Sequence, residues 1–179
     1  MPISSQEFDI KILHLNWIKH QDDPADLCAH GSVRVVIAGK IIVDEEDGDG
    51  WTLSAAALNL MRTLGRDYKA DDFASQLIPC CGFFLIANDG ADHVEIYGCP
   101  NGFDWTIKHE GKQVKHTTNT GEQGTIDQKE YQKLVLAFAD QVQQFYRDSA
   151  PKELPDDEFD RKGYLAFWTE WMALRSKWA

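Results

Sequence analysis

Residues 127–146, DQKEYQKLVLAFADQVQQFY, carry the most constraining pattern in the chain. Tyr131, Leu134, Val135, Phe138, Val142, Phe145 and Tyr146 recur at helical spacing and fall on one stripe. A helix striped in this way is stable only when that face is buried against another layer. Asp127 and Glu130 resemble a capping box with Asp in the cap role. SAPKELP breaks the pattern, and DDEFDRKGYLAFWTEWMALRSKW resumes a helix, with Asp156 as candidate cap and basic residues in the last turn, where the macrodipole favours them. Spacings of four link Phe159, Gly163, Phe167 and Trp171, and Trp168 and Met172 widen that stripe. The two helices are predicted to be antiparallel neighbours.

The rest of the chain supplies strands for these helices to cover. In FDIKILHLNWIK the alternation Phe8, Ile10, Ile12 slips by one position to Leu13, Leu15, Trp17, which predicts a strand with a bulge near 12–13. SVRVVIAGKIIVD is rich in β-branched residues and reads either as one strand bent at Gly39 or as a hairpin turning there. Leu53, Ala56, Ala57, Leu60, Met61 and Leu64 have helical spacing, with Thr52 a candidate cap and Gly65 at the exit. DDFASQLIP reads as a short helix stopped by Pro79. From 82 to 118, FFLIA, HVEIYG, DWTIKHE and QVKHTT are separated by short turns and predict an antiparallel meander, followed by NTGEQGT as a loop. The expected class is therefore α+β: an antiparallel sheet of meander and N-terminal strands, helices packed on one face, and two C-terminal helices. At 179 residues one domain, 1–179, is expected, with 151–179 an aromatic-rich helical segment that packs on the core or extends from it.

Charge narrows the function. The formal net charge is −11. Such a surface repels phosphate backbones and anionic lipid heads and attracts basic proteins, so nucleic acid and membrane are not expected partners. MPISSQEFDIKIL lacks the basic segment and apolar run of a secretory signal, and no apolar stretch reaches the ~20 residues that span a bilayer. Cys28, Cys80, Cys81 and Cys99 are read as free thiols in a reducing cytoplasm. No nucleotide-binding glycine motif and no nucleophile-elbow motif occurs.

Three stretches are candidate sites. From Glu45 the sequence E-x-D-x-D-G places Glu45, Asp47 and Asp49 at calcium-loop positions one, three and five, but the twelfth position, which needs a bidentate Glu, is Ala56. No metal or cofactor is therefore expected. Asp44, Glu45, Glu46, Asp47 and Asp49, with Glu153, Asp156, Asp157 and Glu158, are candidate partner-binding carboxylates; the alternative for the first group is a solvated turn at a helix start. Adjacent Cys80 and Cys81, in the apolar context LIPCCGFFLI, read as small buried hydrophobes. In the meander, His93, Glu95 and Tyr97 share the polar face of one strand and offer an alternative acid–base site of the kind used by metal-independent hydrolases and ribonucleases. A wet sheet face carries the same residue types without chemistry.

WTLSAAALNLMRTL, LIPCCGFFLI, GCPNGFDWTIKH and DEFDRKGYLAFWTEWMALR together resemble a small bacterial domain similar in general style to the immunity proteins of polymorphic toxin systems. The likeness lies in size, charge and layout. It implies a non-catalytic cytoplasmic inhibitor that binds a basic toxin domain. Self-association through the C-terminal aromatic helices is a further expectation.

Overall fold

A computed structural model describes residues 7–70, 76–80 and 84–179. Among these residues nine strands form three antiparallel sheets and three α-helices accompany them, an α+β architecture with two C-terminal helices. Strand β1 (Phe8–Asn16) pairs with β2 (His30–Ile37), which pairs with β3 (Lys40–Val43) and, at its other end, with the short β4 (Trp51–Thr52). The register of β1 on β2 shifts between Ile12 and His14, so a bulge accounts for the slipped alternation. Between β2 and β3 the chain turns at Ala38 and Gly39, both at positive φ (54° and 73°), which resolves this region as a hairpin.

The 82–118 meander is divided. β5 (Phe84–Ala87) pairs with β6 (Val94–Tyr97), while β7 (Thr106–Glu110), β8 (Gln113–Thr117) and β9 (Gln123–Asp127) form a separate sheet. Strand β9 occupies part of the segment read as a loop; its Gly and Thr residues hide a ladder that backbone groups, not an apolar alternation, hold together. The short helix expected over 71–79 lies partly outside the described residues, and Gln76–Pro79 are not helical: Ile78 forms a bridge with Phe103.

Helix α1 (Leu53–Arg62) follows β4 directly and ends in a 3-10 turn, Thr63–Gly65. Thr52 occupies its cap position without a side-chain hydrogen bond. Helix α2 (Gln128–Arg147) is capped by Asp127, whose carboxylate accepts from the Lys129 and Glu130 amides. Helix α3 (Glu158–Lys177) is capped by Asp157, one residue beyond the predicted Asp156.

The stripe on α2 packs where the sequence demands. Tyr131 meets Phe8, Phe145 and Tyr146 meet Trp17, and Val135, Phe138, Ala139 and Val142 are buried. Phe8 also stacks on His116 of β8 at 3.6 Å, so one aromatic column ties two sheets to one helix. Each such fully buried aromatic contributes roughly 1.5–3 kcal/mol. Helix α3 runs antiparallel to α2, with Tyr146 against Trp168, Gln143 against Trp171, and Asp140 paired with Arg175. Its other face rests on β5. A Cβ at Gly163 would stand 1.9 Å from the Leu85 carbonyl oxygen, so only glycine allows this approach.

Candidate functional site

The carboxylates of 44–49 do not begin a helix; they form their own 3-10 turn, Glu45–Asp47, separated from α1 by β4. Asp44 caps the turn, its amide donates to Asp47, and its carboxylate accepts from Arg34 Nε at 2.9 Å. The Arg34 hydrogen bond, with the Glu45 amide, holds the Asp44 carboxyl below the usual range. Two of the five acids are thus turned onto the protein itself, and Glu45, Glu46 and Asp49 face solvent with the rest of the 45–50 stretch. Among the described residues no cluster of His, Cys, Asp and Glu side chains has the geometry of a metal site.

The second acidic group lies far away in sequence and borders the same loop as the first. The 19–26 loop joins them. His20 Nε2 is 3.8 Å from Asp49 Oδ2. On the other side of the loop Asp22 accepts from the Ala150 amide and from Lys152 Nζ (3.1 Å), and the Glu153 amide donates to the Pro24 carbonyl. Lys152 is the clip: its side chain is 5% exposed, its Nζ lies 3.4 Å from the centroid of the Trp17 ring, and it also donates to the Asp23 carbonyl. Beyond it Glu153, Asp156, Asp157 and Glu158 are exposed. Segments 19–26, 44–50 and 150–162 hold thirteen of the 29 acidic side chains and four of the 18 Lys and Arg, hence nine of the eleven net negative charges. Sequence order gave no sign of this gathering, because the loop that causes it reads only as a Pro-marked connection.

The alternative acid–base face is not assembled as read. Tyr97 donates to Glu95 at 3.0 Å, and both are exposed. His93 turns instead to Glu170 of α3, with Nδ1 3.0 Å from Oε1. Glu170, 7% exposed, is the acid that sequence reading missed. Arg62 grips it bidentately, Nε to Oε1 at 2.6 Å and Nη2 to Oε2 at 2.7 Å, and the Val94 amide donates to Oε2 at 2.9 Å. Arg62 also donates to Asn59 and to the Val94 carbonyl. Burial works to raise the Glu170 pKa, but Arg62, the Val94 amide and His93 outweigh it and hold the carboxyl below its ordinary value. The only advance signal was a Glu within an aromatic helical stripe.

The remaining reactive groups are quiet. Burial, reinforced by Asp26, pushes the Cys28 thiol up to about 12, so it stays protonated and a poor nucleophile. His116 is wholly buried, accepts from Trp105 Nε1 at 3.0 Å, and is held neutral by burial, its pKa drawn down to about 3. His30, paired with Asn16 and Thr52 across the first sheet, is likewise lowered by burial. Of the paired cysteines, Cys80 is half-buried and Cys81 lies outside the described residues. No helix among the described residues is long and apolar enough to cross a membrane.

Comparison with protein-family models, with curated proteins and with solved structures gave no match.

Proposed function

We propose that the protein is a non-catalytic cytoplasmic inhibitor that binds a basic protein partner through the acidic end built from 19–26, 44–50 and 150–162, the most concrete partner being a cationic toxin domain such as a nuclease. One observation carries this reading: the 19–26 loop is clipped to 150–153 through Asp22 and Lys152 and its His20 lies 3.8 Å from Asp49, so two acidic segments a hundred residues apart border the same loop. A nuclease needs Lys and Arg to hold phosphate, and those groups are what a dense carboxylate surface recognises. Complementary charge speeds encounter and makes association depend on salt. Glu45, Glu46, Asp49, Glu153, Asp156, Asp157 and Glu158 supply the contacts, and Asp44 and Asp47 hold the turn that presents them.

The test is co-expression with a basic toxin domain encoded beside this gene. Growth is expected to be rescued, and the purified pair to associate with an affinity that falls steeply between 50 and 500 mM salt, concentrations chosen to span the ~14 to ~4 Å range of screening lengths. Growth arrest that persists despite soluble expression of both proteins removes the reading.

A further inference from the structure

Towards the opposite end of α3 lies a hollow of ≈ 220 Å³ lined by Arg62, Arg66, His93, Glu170, Lys177 and Trp178, together with Gly65 and Leu174. Its chemistry is the reverse of the rest of the molecule. Three Lys and Arg side chains meet one carboxylate, in a chain whose net charge is −11. That carboxylate is spent: Glu170 already takes two bonds from Arg62 and one from the Val94 amide, and His93 Nδ1 lies 3.0 Å from it. Arg66 has no hydrogen bond or ion pair, and Lys177 has no acidic partner, among the described residues; Lys177 Nζ stands 5.1 Å from the Trp178 ring centroid. The neighbouring acid, Asp67, is turned away onto the His109 amide.

Two helix ends border the hollow, the 3-10 turn after α1 through Gly65 and the last turn of α3 through Leu174 and Lys177. Their partial negative charge is about half a unit each at most. It offsets part of the cationic excess and leaves about one positive charge in place. The apolar wall is equally built. Trp178 is anchored by its carbonyl, which accepts from Gln132 Nε2 at 2.9 Å, and a Cβ at residue 65 would lie 2.9 Å from the indole, so Gly65 makes room for the ring. His93 Nδ1 lies 3.0 Å from Glu170 Oε1, so its other nitrogen faces away from that carboxylate.

We propose that this hollow binds a small oxyanion, a phosphate or carboxylate, carried on an aromatic ring. Arg66 and Lys177 hold the oxyanion, with His93 beside it. Trp178 and Leu174 cover the ring. Arg62 and Glu170 form the rigid floor and are positioning residues. The site is independent of the acidic end, so either reading can fail without the other.

Phenyl phosphate, inorganic phosphate and phenol are the probes, titrated into the full chain and followed by the Trp178 indole N–H resonance, assigned by its loss in Trp178→Phe. Phenyl phosphate is expected to shift that resonance saturably, inorganic phosphate to bind at least fivefold more weakly, and phenol not to bind. The double variant R66S/K177S, altered at exposed positions and so expected to keep the parent melting temperature, is expected to weaken phenyl phosphate at least tenfold. Failure of phenyl phosphate to saturate, or unchanged affinity in the folded double variant, overturns the proposal. Equal affinity for phenyl and inorganic phosphate overturns the aromatic specificity.

Discussion

At its N-terminal end α3 leaves Asp157, Glu158 and Asp160 in solvent, whereas about 18 Å further along the helix axis the acid is Glu170, buried and held by Arg62 and the Val94 amide. The two regions hold the same functional group under opposite conditions. Exposed carboxylates retain their hydration, cost little to keep, and act over a Debye length on whatever approaches. A buried one loses hydration worth several kcal/mol and persists only because Arg62 and the Val94 amide replace it. Charge at the first end is therefore available to a partner, and charge at the second end fixes how α1, β6 and α3 meet.

The largest expected effect is at the buried end. Glu170→Ala leaves the Arg62 guanidinium and the Val94 amide without their acceptor and is expected to cost about 3–5 kcal/mol, read as the urea midpoint. A loss below ~1 kcal/mol would mean that this acid is no more structural than those at the other end.

Acidification comes next. The folded pKa of His116 is about 3, against about 6.5 when unfolded, so the unfolded chain takes the proton more readily. The stability this histidine allows is complete above pH ~6.5 and declines towards pH 3, by about 3 kcal/mol at pH 4. Glu170, with its folded pKa lowered, contributes stability above the ordinary carboxylate range and loses it below. Protonation of the exposed acids relieves their mutual repulsion and works in the other direction. A midpoint that rises between pH 6.5 and 4 would show the acidic end, not the core, governing the response; in His116→Gln the fall over that interval is expected to flatten.

In the second turn of α3, Gly163→Ala is expected to cost about 2 kcal/mol, because the clash with the Leu85 carbonyl exceeds the ~1 kcal/mol by which Ala favours a helix. Calorimetry would measure it. At the acidic end Lys152→Ala removes the cation over Trp17 and the clip to Asp22, an expected loss of about 1–2 kcal/mol. The smallest effect on stability belongs to E45Q/E46Q: an unchanged melting temperature, with slower capture of a basic partner at low salt in stopped flow.

The parts of the fold legible in the sequence are those fixed by local rules. The α2 stripe, the Asp127 cap and the bulge between Ile12 and His14 follow from spacing and from single side chains. Strand β9 did not, because Gly124 and Thr125 carry no apolar alternation and only pairing with β8 makes them a strand. The divided meander was illegible for a related reason: the two halves take different backing, α3 for β5 and β6, and α2 for β8 and β9. Arg62, His93 and Glu170 lie on α1, at the edge of β6 and on α3, and nothing short of tertiary packing joins them. In α3 itself the predicted stripe kept Gly163, Phe167 and Trp171 inside but left Phe159 and Met172 in solvent.

The contact of Gly163 with Leu85 and that of Glu170 with Val94 are seven residues apart on α3, two turns along one side, and each grips a different strand of the β5–β6 pair. The pair therefore has no separate allegiance to either of the other two sheets: its amide protons should trade with deuterium on the timetable of the last helix. In native-state exchange the Val94 amide, whose acceptor is a side chain on that helix, would serve as the clock for the whole subunit of structure, opening with α3 while the ladder between β1 and β2 stays shut.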